Sequence, residues 1–405
     1  MFPKPKNPVV VLSVSIFVQF LGAMAISPIL PIFLKHTSQK EYSIGLIIGL
    51  FFAFDLLAQY PTGRYVDKHS PLHAIVFGLT TFVVGSALMG IANNFIELVI
   101  YRSLQGIGSG AFLVATNSLI AKSGKNENKT KSFAYIFGAQ MSGTTIGALL
   151  GSTFGLNHLR ATFFFAAGLS LISLIFTIVN LKLIQTSHEN SKMDFLRHDE
   201  LRKSPSDSSD NSFSGTSLMK NPAVLGAIIW AVSSGSISGV YETLWSPYFL
   251  SRGGNGLMLG LSWFCFGAPY ILFSWNLDKI FKHVKLSTLA LAQPIFGGLF
   301  IIIYVTIHNI DLMVALCAVE AIVVLPGSPA IQTILTRSIS YHHQGHAQGI
   351  ILSFQIASQA VFAFGSGLLA THNITLSFYV GGIISIILTG PLVASLRQIP
   401  QVNAH

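Results

Sequence analysis

Four charged side chains stand inside long apolar stretches of the sequence, where an ionised group is costly to keep. They are Asp55, Arg102, Glu242 and Glu320. A carboxyl group in an apolar interior is stabilised in its neutral form, whereas a nearby guanidinium stabilises its ionised form. A carboxyl group whose distance from an arginine changes can therefore take up and release a proton. The pattern is typical of proton coupling, in which Arg102 would act on any one of the three acids.

Glu242 also has aromatic neighbours at helical spacing. Tyr241 precedes it, and Trp245 follows it by three positions. A carboxylate beside aromatic rings attracts an organic cation through its charge and through cation–π attraction. A hydrogen bond to a neighbouring helix would explain Glu242 equally well, so both interpretations are open. Such a cation would need a cavity between the helices, lined by Glu242, Tyr241 and Trp245. The amides in the apolar stretches are further candidates for lining this substrate cavity: Gln19, Gln105, Gln140, Gln332 and Gln355.

Other chemistries lack their usual sequence patterns. No glycine-rich loop with Lys-Ser/Thr is present, which argues against ATP as the energy source. No nucleophile–base pair or metal-binding motif appears, and the cluster of His342, His343 and His346 falls in a polar loop. We therefore expect no enzyme activity, no cofactor and no metal site, with a proton gradient as the source of energy.

The composition indicates which elements must position these groups. Of the 405 residues, 51% are hydrophobic and only 10% are charged, against about 25% charged in a typical soluble domain. There is too little charge to cover a soluble core, so much of the surface must face lipid. The net charge of +9 does not indicate nucleic-acid binding, because the basic residues are spread over loops between apolar runs.

The apolar runs predict an all-α integral membrane protein with twelve transmembrane helices. A helix needs about 20 residues to cross the hydrocarbon. Between two groups of six spans lies a polar, charged segment, 186–219, which we expect to be a flexible tether. The predicted domains are thus six-helix bundles at 1–185 and 220–405. The candidate spans lie near 9–34, 43–65, 72–92, 96–119, 133–155, 160–185, 221–250, 257–277, 286–307, 311–335, 347–370 and 373–396.

The basic residues also orient the spans. With a cytoplasmic N-terminus, nineteen of the 24 basic residues fall in inner segments or at the inner ends of spans and four on the outer side, and the remaining one, Arg102, falls inside the fourth span. Cytoplasmic loops of membrane proteins carry such an excess of Lys and Arg. We therefore expect both termini and the polar segment to be cytoplasmic, in a cell (plasma or inner) membrane.

Several motifs resemble those of the major facilitator superfamily. The fourth span resembles the family's Arg-x-x-Gln-Gly-x-Gly motif, which occurs especially in proton-coupled members. The fifth span resembles the antiporter motif, with Thr144 where a proline is usual. In the first span, Leu21-Gly22 followed by Pro28 and Pro31 resembles the family's first-helix pattern, and the prolines must disturb the helix. The helix-packing glycines of the fourth and fifth spans are Gly106, Gly108, Gly110, Gly143, Gly147 and Gly151.

A loop motif strengthens the resemblance. Gly63, Asp67 and Lys68 match the first half of the family's cytoplasmic gating loop, although Ser70-Pro71-Leu72 replaces its usual second half. Asp278 and Lys279 form an equivalent acid–base pair in the second half of the chain. In the family such loops latch the two halves together when the cytoplasmic side is closed.

The resemblance implies a secondary transporter that works by alternating access, with a fold of two pseudo-symmetric six-helix bundles. It is greatest to the drug:proton antiporter branch, which implies proton-coupled efflux of a small amphipathic or cationic compound. Uptake or facilitated diffusion of a nutrient or metabolite is the alternative, and a membrane receptor or scaffold on the same fold is another. The expected partners are a small-molecule substrate and the lipid bilayer, without nucleic acid, and we expect a monomer.

Overall fold

The computed structural model describes residues 8–37, 39–122, 126–180, 219–273, 284–339 and 341–399, all in helices or short turns. The predicted tether at 186–219 lies outside the described residues, apart from Met219. The first half of the chain forms α1 (Pro8–Ile26), α2 (Leu30–His36), α3 (Glu41–Lys68), α4 (Pro71–Ile91), α5 (Phe95–Lys122), α6 (Asn126–Gly155) and α7 (Leu159–Val179).

The second half repeats this organisation with more interruptions. Two of its passes contain a π turn, a wider helical turn, at Tyr241–Trp245 and at Gln293–Gly297. The α-helices of this half are α8 (Pro222–Val240), α9 (Ser246–Ser251), α10 (Gly256–Phe273), α11 (Leu286–Ala292), α12 (Gly298–Thr306), α13 (Ile310–Val324), α14 (Gly327–Ser338), α15 (Tyr341–Ala370) and α16 (Ile374–Arg397).

The twelve predicted spans correspond to twelve helical passes in the described residues. Ten of them are long and apolar enough to cross a membrane, and α10 contributes a shorter apolar helix, Gly256–Pro269. The remaining pass is α6. Its predicted start at 133 was too late, since the helix begins at Asn126. The same holds for α15, which begins at Tyr341 rather than 347. Hydropathy marks only the apolar part of a helix, whereas backbone hydrogen bonding continues into polar turns.

Prolines interrupt several passes, as the sequence predicted for the first span. The first helix ends at Ile26 and resumes at Leu30, around Pro28. The tenth pass breaks between α13 and α14 at Leu325–Pro326. The π turns were not predicted. One contains Pro294, and the other is followed by Pro247, and each of these residues lacks a backbone N–H group.

The helix ends form two faces of the molecule. We call the face where α1 begins and α16 ends the terminal face. The opposite face carries the turns at residues 37–40, 92–94, 156–158, 252–255, 307–309 and 371–373. The halves meet along two helix pairs, α3 with α15 and α6 with α10.

The two halves are closed against each other near the opposite face. A Cβ atom on Gly45 would lie 2.6 Å from the carbonyl oxygen of Ala363 and 2.7 Å from the Cα of Gly367. On the other side of the molecule, a Cβ on Gly256 would lie 2.7 Å from the carbonyl oxygen of Ser152. Only glycine permits such backbone contact. We call the first contact, of Gly45 and Gly49 with residues 360–367, the glycine seam.

The hydrophobic cores show where the halves separate. The core of the first half that lies toward the opposite face includes Ala363 of the second half. The corresponding core of the second half packs against Leu156 of the first. In the described residues, the two cores toward the terminal face each draw on one half only. The structure is therefore a conformation that is joined at the opposite face.

Candidate functional site

Glu242 lies at the junction of the two halves. It occupies the second position of the Tyr241–Trp245 π turn. The hydroxyl of Ser27, in the turn between α1 and α2, donates a short hydrogen bond to Oε2 of Glu242. Ser27 belongs to the first half and Glu242 to the second, so this bond crosses the central interface. Arg102 is the charged group that interacts electrostatically with Glu242.

Arg102 is held on the first half by neutral partners. Its Nη1 donates to Oε1 of Gln105 at 2.7 Å, and its guanidinium lies 4.2 Å from the ring centre of Phe51. Gln105 in turn donates to Ser86 at 3.0 Å. Within the described part of the chain the buried Nε of Arg102 has no hydrogen-bond partner. Since a buried donor without a partner is costly, Arg102 retains a hydrogen-bonding site for a group that this conformation does not supply.

Glu320 is enclosed in the second half by two tyrosine hydroxyls. Tyr304 donates to its Oε2 at 2.8 Å, and Tyr241 lies 3.1 and 3.2 Å from its two carboxyl oxygens. Glu320 is buried in α13. Tyr241, which contacts Glu320, immediately precedes Glu242 in the chain.

Aromatic rings pack around the two tyrosines that enclose Glu320. Trp245 packs edge-on against Tyr304, with ring centres 4.9 Å apart, and Tyr241 packs against Phe266 at 5.3 Å. The indole of Trp245 donates to Ser262 at 3.0 Å. The cluster combines the carboxyl group of Glu320 with several π faces, and both kinds of group attract cations.

Asp55 lies apart from this cluster. It accepts hydrogen bonds from Gln59 at 2.8 Å and from Ser109 at 3.2 Å. Both partners belong to the first half, on α3 and α5. Glycines of α5 pack against the same segment: a Cβ on Gly106 would lie 2.4 Å from the carbonyl of Phe51. The structure thus places Glu242 at the junction of the halves, Glu320 within the second half, and Asp55 in a helix–helix contact of the first half.

Two residues that we expected in a substrate cavity are enclosed by protein instead. Gln105 is fully buried because it links Arg102 to Ser86, and Trp245 is fully buried because it packs in the aromatic core. Amide and indole groups satisfied by other side chains have no surface left for a ligand in this conformation.

The other cavity candidates are scattered. Gln19 is buried, and its Oε1 has no partner among the described residues. Gln140 and Gln355 are half-buried. Gln332 accepts a short hydrogen bond from Gln348.

The gating-loop residues are described only in part. Gly63 and Lys68 lie in the last turns of α3, with Lys68 exposed. The side chain of Asp67 and the whole of Asp278 and Lys279 lie outside the described residues. Their role as a latch stays a prediction.

The small residues of the two motif helices face their neighbours. Gly110 packs on Asp55 of α3, and Gly108 packs on α4. On α6, Gly143, Gly147 and Gly151 all pack on α1; a Cβ on Gly151 would lie 2.0 Å from the carbonyl oxygen of Ala25.

Four partners of the buried acids were not predicted from the sequence: Ser27, Gln59, Ser109 and Tyr304. A single serine or tyrosine in an apolar run has no distinguishing pattern, because its partner comes from another helix. Two of the four had a local signal: Ser27 directly precedes Pro28, where the helix must break, and Gln59 follows Asp55 by four positions, one helical turn.

Residues 12–325 of the chain match a sequence family described as Major Facilitator Superfamily. Among curated proteins, Multidrug resistance protein 1 of Bacillus subtilis (strain 168) is 28% identical over 183 residues. This alignment covers 45% of the chain and 47% of the relative. Quinolone resistance protein NorA of Staphylococcus aureus (strain Mu50 / ATCC 700699) is 28% identical over 169 residues, or 42% of the chain and 44% of the relative. The matched region thus spans less than half the length of each relative.

Solved structures resemble the whole chain. The crystal structure of a peptide transporter POT in complex with sulfate matches with a TM-score of 0.74 at 16% identity, over 98% of this chain and 95% of the other. A bacterial homolog to the human lysosomal transporter Spinster, in an inward-facing and occupied conformation, matches with a TM-score of 0.72 at 12% identity, over 98% of each chain. At these identities the likeness shows a shared fold of twelve passes in two bundles.

Proposed function

The chain belongs to the major facilitator superfamily, and from this premise we propose that it exports a small amphipathic or cationic compound in exchange for protons. It is a multi-pass membrane transporter and not an enzyme. The two halves would rock about a central site that opens to each face in turn. The terminal face would be cytoplasmic in a cell membrane, following the distribution of basic residues. The transporter would act as a monomer without a cofactor.

One observation carries this proposal: Glu242 lies between the halves, bonded to Ser27 of the first half and in the field of Arg102. An acid at this junction can exchange its proton with whichever face is open. Elsewhere in the second half, Glu320 supplies a further carboxyl group among aromatic rings. The names of the two curated relatives support the choice of drug-like compounds as substrate.

The same carboxyl groups would serve both ligands. A proton neutralises Glu242 by forming a covalent O–H bond, and an organic cation neutralises it by ion pairing. The two ligands therefore compete for one charge, which is the requirement for exchange rather than co-transport. The preference for a cation follows because aromatic faces attract cations and the acids supply the opposite charge.

Purified protein in liposomes that contain a trapped pH-sensitive dye would test the proposal. Addition of the lipophilic cation tetraphenylphosphonium outside should make the lumen more alkaline, because each cation that enters drives protons out. Glu242→Gln and Glu320→Gln should each reduce this pH change at least tenfold, because an amide neither binds nor releases the proton. Asp55→Asn should retain exchange, because the amide oxygen of Asn accepts the bond from Gln59 and its NH2 group donates to the hydroxyl of Ser109.

Asp311→Asn is the matched control. Asp311 lies in the first turn of α13, the helix that carries Glu320, and is exposed. It should exchange like the wild type. Acidification of the lumen would indicate symport, and cation entry without a pH change would indicate facilitated diffusion. Full exchange by both Glu242→Gln and Glu320→Gln would refute the proton-coupling scheme.

A further inference from the structure

The first pass of each half is interrupted, and the two interruptions touch. In the first half α1 gives way to α2 at residues 27–29, and in the second half α8 gives way to α9 through the Tyr241–Trp245 π turn. Ser27 lies in the first interruption and Glu242 in the second, and they are hydrogen-bonded to each other. The segments that follow, α2 and α9, are also in contact.

This bond lies on the side of the molecule that is closed. The contact of α2 with α9, the glycine seam and the shared cores all lie toward the opposite face. Opening that face requires the segments after the interruptions to move apart. The Ser27–Glu242 bond must therefore break each time the face opens.

The strength of the bond depends on the charge of Glu242. A hydrogen bond to an ionised carboxylate is about twice as strong as one between neutral groups. The charged group that acts on Glu242 is Arg102 of α5. The helices packed against the π turn contribute few other charged groups. There are no charged or histidine residues in α8, in α9 or in residues 347–370 of α15. The apolar part of α3 contains Glu41 and Asp55. Beyond Tyr241 lie Glu320, Tyr304 and Cys317 of the second half.

We propose that Ser27 is a coupling residue: its bond to Glu242 is a charge-dependent latch that holds the opposite face closed while Glu242 is ionised. Neutralisation of Glu242, by a proton or by a bound cation, releases the latch. This proposal rests on the proposed exchange function and assigns it a mechanism. An exchanger must prevent its empty, ionised form from reorienting, because that step would dissipate the proton gradient. The latch holds the empty, ionised form closed, and it leaves the protonated form and the cation-bound form free to reorient.

The test measures opening directly, without substrate. Spin labels are attached to cysteines at the exposed positions Lys40 and His372, which lie at the start of α3 and just beyond the end of α15 on the opposite face. Cys265 and Cys317 are replaced by alanine in this background. Distances between the labels in lipid nanodiscs are then recorded from pH 5 to pH 9. In the wild type, the longer distance should gain population as the pH falls.

Ser27→Ala should raise the ratio of open to closed molecules at pH 9 about tenfold or more, since a bond to a charged acceptor is lost. It should also flatten the dependence on pH. Ser27→Thr retains the hydroxyl and should restore wild-type behaviour. Ser15→Ala is the matched control, because Ser15 is a buried serine of α1, the helix that leads to Ser27, and its hydroxyl bonds Thr177 within the first half, at 2.9 Å. It should leave the ratio unchanged.

Glu242→Gln gives a second test if Ser27→Ala does not fold. It retains the shape of the side chain, removes the charge, and should open the face at pH 9 as Ser27→Ala does. The latch is wrong if Ser27→Ala keeps the wild-type distances at every pH, or if Ser15→Ala opens the face equally. Its failure is separate from failure of the proposed function. Distances that follow the latch without any cation–proton exchange would reject exchange alone, whereas exchange with unchanged Ser27→Ala distances would reject the latch alone.

Discussion

Replacement of Gly45 by alanine tests whether the glycine seam exists in only one conformation of the transport cycle. The new Cβ would lie 2.6 Å from the carbonyl oxygen of Ala363, and 2.7 and 2.9 Å from the Cα and backbone nitrogen of Gly367. These atoms belong to the backbone of α15, so no side-chain rotation relieves the contact. The halves must separate locally to accommodate one methyl group.

The magnitude follows from the cost of an overfilled interface. An added methyl in a packed contact costs about 1–3 kcal/mol, which is about 5- to 150-fold in an equilibrium. The cost applies only while the opposite face is closed, because the clash joins α3 of one half to α15 of the other. Gly45→Ala should therefore shift the population toward the open opposite face by this factor, with little loss of overall stability.

The same spin-label pair at Lys40 and His372 measures this shift. Gly349→Ala is the matched control on the partner helix α15, since a Cβ there meets no atom within 4 Å. Gly110→Ala is the contrasting variant: its Cβ would lie 2.3 Å from the carbonyl oxygen of Asp55, within the first half. It should lower the thermal unfolding temperature without favouring either face. Gly45→Ala with wild-type distances and a lowered unfolding temperature would refute the assignment of the seam to one conformation.

Two further substitutions test the aromatic cluster through thermal unfolding in detergent. Tyr304→Phe should lower the free energy of unfolding by about 1–3 kcal/mol, because buried Glu320 loses the hydroxyl that donates to it at 2.8 Å. This loss should be smaller in a Glu320→Gln background, and an equal loss in both backgrounds would contradict the prediction. Trp245→Phe should lower the free energy of unfolding by about 1–2 kcal/mol, because the hydrogen bond to Ser262 is lost. The control Trp263→Phe should lower it less, since the indole N–H of Trp263 has no partner in the described residues. Equal losses would show that ring volume, not the hydrogen bond, matters.

Much of the fold could be predicted from the sequence. Long apolar runs have to be membrane-spanning helices, because only a helix satisfies its own backbone hydrogen bonds in lipid. Local chemistry also predicted the break at Pro28, because proline lacks the backbone N–H group that continues a helix.

The grouping of the acids could not be predicted. Asp55, Glu242 and Glu320 looked equivalent as isolated charges in apolar runs. Their partners come from residues up to 215 positions away, as for Ser27 and Glu242, and such pairing depends on how the helices pack. The π turns were also missed, because one extra residue in a helical turn leaves the hydropathy of the segment unchanged.

The two π turns have a consequence for the breadth of ligands that the protein can accept. In the described residues both belong to the second half of the chain, at Tyr241–Trp245 and Gln293–Gly297. A helix that contains a π turn can shift by one residue along its axis without unwinding. The second half, which contains both π turns, is therefore easier to deform than the first. Under the proposed function, Tyr241 and the aromatic residues around it would rearrange to fit ligands of different size. The continuous helices α3 and α5 of the first half would keep their shape.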